Sequence, residues 1–372
     1  MLLVMKNRIS NRVVLLVCVT ACLILSLYRE CYSSHHRLSL LNVTSSSVRV
    51  RRFAVFSCAT SLSVDYAFYL PLTVLAWRRI GFESIILIVG EKNQWEIHPV
   101  LSHVLDTLAK LSDTCTVLFL SADVENHVML SQTARIFVAN LKEFPGSSFD
   151  FIMTTDADLW PLRREHYYYP VMNRSSSKLL MLLHSECCGS FTLGGRDYTM
   201  LPISNVGASA ATWKEIINDG DNMMTTHSAA ESILDYFKKM FGERVRHSVV
   251  FASDDWFMDQ KMMSVRIDQW IHRQNSSSSD VSAVYKVSDS GYFRIDRSDW
   301  NVDEIQPSSL ANYYDAHLIL DGFMPDNWNK SIQPLLRLMY GANSTLYAFC
   351  NTYATQFYAI GTRWETNKNS SS

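Results

Sequence analysis

The chain has no block of basic residues and no excess of either charge. Its 34 lysines and arginines nearly balance its 36 aspartates and glutamates, for a formal net charge of -2. A nucleic-acid surface needs clustered positive charge, so no nucleic-acid partner is expected. None of the eight cysteines forms a C-x-x-C unit, which argues against structural zinc. No internal repeat is present, so no repeat architecture is expected. What the chain does have is apolar mass. Hydrophobic residues make up 48% of its 372 positions and aromatic residues 12%, enough for a sizeable core, which excludes wholesale disorder.

One stretch lacks charge altogether. Val13 to Tyr28 reads VVLLVCVTACLILSLY. As a helix at about 1.5 Å per residue it covers roughly 24 Å, slightly short for a bilayer core but within reach of a thin early-secretory membrane. Lys6, Arg8 and Arg12 precede it and Arg29 follows. The positive-inside tendency then places the N-terminus in the cytosol. No small-x-small cleavage site follows the run, so a retained signal anchor is expected rather than a cleaved signal peptide. Six N-glycosylation sequons, at Asn42, Asn173, Asn275, Asn329, Asn343 and Asn369, all lie beyond it. Six cysteines also lie beyond it. Their even number permits disulfides in an oxidising lumen, though adjacent Cys187 and Cys188 are not expected to pair with each other. The expected organisation is a cytosolic tail (1–12), a transmembrane anchor (13–28), a polar Ser-rich stem (29–52), a luminal domain (53–365) and a polar, frayed tail (366–372). The expected location is the Golgi or ER membrane, as a single-pass type II protein.

From residue 53 onward, strand-like and helix-like runs alternate. Phe53–Cys58, Ser84–Val89, Thr116–Leu120 and Phe149–Thr155 are short apolar runs of the kind that form buried strands. Between them, Tyr66–Ile80, Pro99–Leu111 and Leu130–Phe144 have helical periodicity, with Gly81 and Pro145-Gly146 as stops. This alternation predicts an α/β fold with a mainly parallel central sheet and helices on both faces. Past residue 160 the pattern becomes irregular. Met181–His184 is a candidate strand, Ala208–Asp219 and Ala229–Phe241 are candidate helices, and Gln274–Asp280 reads as a Ser-rich loop.

The fourth strand carries the chemistry. Phe151-Ile-Met-Thr-Thr-Asp156-Ala157-Asp158 delivers a D-x-D pair at the C-terminal end of an apolar strand. In extended backbone, residues i and i+2 point to one side, so both carboxylates can meet one hard cation, Mn²⁺ or Mg²⁺. Ligands of open α/β sheets gather at such strand ends. A divalent ion there would neutralise a leaving nucleoside diphosphate. Asp219-Gly220-Asp221 is also D-x-D, but it follows a helix-like run and reads as a turn and cap.

Anchor, stem, Rossmann-like half (53–160), D-x-D and irregular second half (161–335) together resemble the GT-A class of nucleotide-sugar glycosyltransferases. Three further segments resemble its retaining family-8 group, which includes glycogenin. Ser204-Asn205-Val206-Gly207, followed by Trp213, is similar to a stretch that lines the donor sugar. Phe257-Met258-Asp259-Gln260-Lys261 is similar to a D-Q segment beside the anomeric carbon, although Lys261 stands where many members have Asp. Asp315-Ala316-His317 through Gly322 to Pro325 and Trp328 is similar to a late segment whose His completes the metal shell and whose Gly meets the diphosphate. Here the His-to-Gly gap is longer and no Lys precedes Pro325. The resemblance implies metal ligation by Asp156, Asp158 and His317. It implies donor contacts from Arg135, Thr60, Ser61, Asp156, Asn205, Gly207 and Gly322, with Glu91 a weaker candidate. It implies catalytic roles for Asp259 and Gln260. Asp255, in the acidic pair Asp254-Asp255, is the alternative: as a general base on the acceptor hydroxyl it would give inversion.

The expected activity is therefore transfer of a sugar from a nucleotide-sugar donor, UDP-linked by preference, to a glycan or glycoprotein acceptor, with retention. Two other readings remain open: a membrane-tethered, transferase-like or lectin-like binding protein without activity, and a metal-dependent phosphohydrolase. The second needs a larger His/Asp cluster than the sequence offers.

Overall fold

Strand β1 (Arg52–Ala59) has an apolar middle, Phe53–Phe56, that is buried on both faces, as a central strand must be. In this computed structural model the described residues are 50–370, without 60–63, 168–178, 185–187, 218–223, 247–253, 277–282, 288–292, 299, 301, 303 and 304. The expected anchor, stem up to Arg49 and second D-x-D, Asp219–Asp221, lie outside them. Among the described residues no helix is long and apolar enough to cross a membrane.

After β1 come α1 (Val64–Arg79), β2 (Glu83–Val89), α2 (Lys92–Ile97), α3 (Pro99–Ala109), β3 (Cys115–Leu120), α4 (His127–Thr133), β4 (Phe151–Thr154) and β5 (Leu159–Pro161). Beyond them lie β6 (Leu179–Leu183), the hairpin β7 (Ser190–Leu193) and β8 (Arg196–Thr199), β9 (Val206–Ser209), α5 (Ala210–Ile217), α6 (Ala229–Phe241) and α7 (Met258–Ser276). The chain closes with β10 (Ala283–Val287), β11 (Phe293–Ile295), β12 (Tyr313–His317), α8 (Gln333–Tyr340) and α9 (Thr345–Ser370). The main sheet has the order β10-β6-β9-β4-β1-β2-β3. All neighbours pair in parallel except β9, which runs antiparallel to both β4 and β6. A smaller sheet, β11-β12-β5, lies at the C-terminal end of β4.

The alternation of side chains along β1 divides the core in two. Ala54 and Phe56 join a cluster with α1, α3, α8 and α9, whereas Phe53 and Val55 join one with α4, α5, α6 and α7. The result is the expected α/β arrangement with helices on both faces of a mostly parallel sheet. Helix α1 is buried from Ala67 to Trp77, so it is apolar nearly all round, as a helix covered on every side should be. It ends at Gly81, whose φ of 88° is open to glycine at little strain.

Several boundaries differ from the sequence expectation. The helix expected over Leu130–Phe144 starts at His127, tightens to 3₁₀ from Ala134 and stops at Asn140. The helix expected from Ala208 starts at Ala210, because Val206–Ser209 is claimed by the sheet between β4 and β6. The apolar run alone cannot distinguish those two uses. Helix α7 runs to Ser276, into the expected loop, and α9 runs to Ser370, through the tail expected to fray. Buried Tyr353 and Phe357 tether α9 to Phe68 of α1. Cys188 is disulfide-bonded, while Cys58, Cys115 and Cys350 are buried free thiols.

Beside the smaller sheet, His166 and His184 stack on Tyr314 with their Nε2 atoms 3.4 Å apart. Burial, reinforced by His184, depresses the His166 pKa to about 4. Between that value and an ordinary histidine pKa of about 6.5, the unfolded chain binds a proton that the folded chain does not. Stability therefore rises with pH across this window and is lost as pH falls through it. The expected loss between pH 7 and pH 4 is on the order of 2–3 kcal/mol from this group. Urea unfolding at several pH values checks it, and His166→Gln should flatten the slope. An unchanged slope in that variant contradicts the assignment.

Candidate functional site

Strand β4 ends at Thr154 in the middle of the sheet. Thr155 N–H still donates to Val55 O at 2.8 Å, and the chain then leaves the sheet with Asp156, Ala157 and Asp158. The turn is clamped from α1. The Thr73 hydroxyl donates to Ala157 O and receives the Trp160 indole N–H at 2.9 Å. The smaller sheet supplies the third group. Its register sets His317 opposite Leu159, and Leu318 N–H donates to Asp158 O at 2.8 Å. Pairing of β12 with β5 thus carries His317 to the D-x-D turn. One ligand atom each from Asp156, Asp158 and His317 lies within 4.8 Å of the others.

Two arginines face this triad. Arg135, buried at the α4 end, donates to Thr155 O at 2.7 Å and to Asp156 Oδ1, and reaches Asp259 Oδ2 at 3.4 Å. Arg297, just after β11, donates to Asp158 Oδ2 at 3.0 Å. Its neighbour Asp296 lies 3.7 Å from His317 Nδ1, which leaves Nε2, 3.9 Å from Asp158 Oδ2, facing the acids. All of these except Asp296 line a cavity of about 650 Å³, with Tyr66, Ser204, Trp256, Phe257, Gln260 and Leu320 among its other walls.

Electrostatics separate the carboxylates. Burial would raise Asp156, but Arg135, His317 and Arg297 outweigh it and hold it below the ordinary carboxylate value. Burial raises Asp158 despite His317 and Arg297. It also pushes Asp259 up to about 6, against the pull of Arg135. Asp296 is held well below its ordinary value, chiefly by His317. A carboxyl such as Asp158, 2% exposed and raised, has a charge that the protein alone does not fully compensate. Two carboxylate oxygens and one imidazole nitrogen form a donor set suited to Mn²⁺ or Mg²⁺. The residues present therefore fit a divalent ion.

The other expected site residues divide into three groups. Asp259 and Gln260 open α7 at the cavity wall, and Gln260 Oε1 has no hydrogen-bond partner among the described residues. Asn205, Gly207 and Gly322 do not line the cavity. Asn205 is fully buried; with its amide turned to satisfy both ends, it donates to Ser204 O at 2.8 Å and accepts from Arg294 at 3.2 Å. That arginine is held in turn by a two-pronged pair with buried Asp315, both contacts at 2.7 Å. A Cβ on Gly322 would meet the Tyr69 hydroxyl at 2.0 Å, so packing accounts for that glycine. Glu91 bonds Ser121 away from the cavity. Thr60, Ser61 and the side chain of Asp255 lie outside the described residues. Sequence reading missed Asp296, Arg297, Tyr66 and Trp256. Arg297 stands 139 residues from its partner acid Asp158, and Asp296 pairs with His317, with only the charged stretch Arg294–Arg297 to mark them.

Packing also accounts for Gly207. Its Cβ would lie 2.4 Å from the Phe151 ring and 2.8 Å from Met153 Cε, across the β9–β4 pair. Gly207→Ala should destabilise the fold by about 1–3 kcal/mol through overpacking. Equilibrium denaturation measures this, and wild-type stability in the variant would remove the packing account.

No family model matches the chain, and no curated protein matches it. Solved structures of similar layout include the galactosyltransferase LgtC in complex with donor and acceptor sugar analogs, at 10% identity and TM-score 0.38 over 71% of this chain and 86% of that one. The glycosyltransferase GlyE of Streptococcus pneumoniae TIGR4 matches at 12% identity and TM-score 0.36, over 86% of this chain and 64% of that one. A glycosyltransferase involved in glycosylation of the major capsid of PBCV-1 matches at 8% identity and TM-score 0.31, over 72% of this chain and 92% of that one. At these scores the likeness carries no argument about activity, which rests on the cavity and its residues.

Proposed function

We propose that the chain is a metal-dependent glycosyltransferase of GT-A type that moves a sugar from a nucleotide-sugar donor, preferably UDP-linked, to a glycan or glycoprotein acceptor. The observation that carries this reading is the convergence of Asp156, Asp158 and His317 on one cavity at the C-terminal edge of a parallel sheet, with Arg135 and Arg297 beside them. The triad would hold Mn²⁺ or Mg²⁺, which as a Lewis acid neutralises the charge developing on the diphosphate leaving group. Arg135 pairs with Asp156 and balances Asp259. Gln260 lines the cavity, and its buried Oε1 has no partner among the described residues; on binding it would accept a hydroxyl of the donor sugar. Thr60 and Ser61, next to β1, would contact the nucleotide.

Retention follows from giving Asp259 and Gln260 the catalytic places. Anomeric proton couplings of the product check it, and an inverted product would move the role to Asp255. The charge flanks of Val13–Tyr28 and the sequons beyond it support a type II anchor with the domain in the Golgi or ER lumen. Binding is the first test. In calorimetric titrations with Mn²⁺ present, UDP or GDP should bind the wild-type chain, and His317→Ala should weaken that binding by about tenfold or more. Equal nucleotide affinity with Mn²⁺ and with chelator would refute the metal reading.

A further inference from the structure

Asp158 Oδ2 faces two groups at once. It accepts from Arg297 Nη2 at 3.0 Å and lies 3.9 Å from His317 Nε2. The carboxyl is only 2% exposed, and both contacts fall on the same oxygen, Oδ2. Arg297 itself is 26% exposed, lines the cavity, and sits in the turn after β11 rather than in a packed helix. Tyr66 lines the same cavity. Arg135 differs in each respect: it is buried and tied to a backbone carbonyl and two acids.

We propose that Arg297 and the divalent cation compete for Asp158, so that the cation's arrival frees Arg297 to grip the donor's diphosphate. This inference rests on the metal reading above and assigns a role to a residue with no counterpart in the segments that carried the family resemblance. The physical basis is like-charge exclusion. A guanidinium and a divalent ion sharing one buried carboxylate would lie within a few ångströms of each other and repel. An arginine released there keeps its planar fork of donors, which suits a phosphate better than any other side chain. Metal and nucleotide then bind in order, because the phosphate's second cationic partner becomes available only after the ion is seated. No covalent step is involved.

The test separates the two halves by measuring Mn²⁺ and UDP affinities without turnover. For Arg297→Gln, Mn²⁺ alone should bind about three- to tenfold more tightly than to wild type, since its competitor is gone. UDP at saturating Mn²⁺ should bind about tenfold or more weakly, since a charge-assisted contact is lost. Arg297→Lys should leave Mn²⁺ affinity near wild type while recovering only part of the UDP affinity, because a point charge competes for Asp158 but lacks the fork. A merely structural role would move both affinities in the same direction. Mn²⁺ affinity that is unchanged or weaker in Arg297→Gln, in a wild-type chain that does bind Mn²⁺, overturns this proposal alone. A wild-type chain that takes no Mn²⁺ overturns the metal reading and this proposal with it.

Discussion

Asp158→Asn is expected to lower sugar transfer on the order of a hundredfold or more, which corresponds to at least about 2.7 kcal/mol of transition-state stabilisation. The substitution keeps the shape of the side chain and removes a full charge from the cation's shell. On the proposed reading the ion would then be held weakly, and a departing diphosphate would lose its main neutralising partner. The fold should survive. Burial already disfavours the charged form of Asp158 in the folded chain, so the neutral amide relieves a penalty even as Arg297 loses its partner. The matched control is Asp221→Asn in the other D-x-D, which should leave turnover nearly unchanged. An Asp158→Asn chain that keeps its activity in the presence of chelator, or a dead Asp221→Asn chain, contradicts the site assignment.

Arg135→Met is expected to have the largest effect on stability. Arg135 is 6% exposed and stands between Asp156 and Asp259, the latter 4% exposed. Removing one partner from a buried ion pair strands the other charge, at a loss of about 3–5 kcal/mol. Two acids are stranded here, although Asp156 still has His317 and Arg297 near it. Asp259 has no other ion-pair partner among the described residues, and burial already pushes its pKa up to about 6. The double variant Arg135→Met/Asp259→Asn should therefore recover much of the loss, because the carboxyl that suffers most is no longer charged. A double-mutant cycle on unfolding free energies measures the coupling. Strict additivity of the two substitutions would show that the pair does not act as a unit.

The central half of this fold was legible because burial writes itself plainly on short strands. Four apolar runs between helical stretches became β1 to β4 with boundaries shifted by a residue or two, and the D-x-D came out at the strand end where periodicity placed it. Legibility failed where long-range pairing overrode a local pattern. Ala208 and Ser209 read as the start of a helix, yet the antiparallel slot between β4 and β6 takes Val206–Ser209 as a strand, and the same slot explains Gly207. The site divides along the same line. Asp156 and Asp158 stand two residues apart at a strand end and were readable; Arg135 was named on the resemblance. His317 needed the family resemblance, since only the β12–β5 register brings it to the acids. Asp296 and Arg297 left only a charged stretch, which looks like any solvated turn until the smaller sheet folds it over Asp158.

The central claim is that Asp156, Asp158 and His317 use a divalent cation to draw a nucleoside diphosphate from a sugar. The most direct measurement is nucleotide release by residues 50–372 from a panel of UDP- and GDP-sugars, with Mn²⁺ and with chelator, in the presence of a mixed glycan acceptor. The account predicts release from at least one donor in Mn²⁺ and its abolition by chelator and by Asp158→Asn alike. Release that persists undiminished in chelator, or is equal in the wild-type and Asp158→Asn chains, would contradict it.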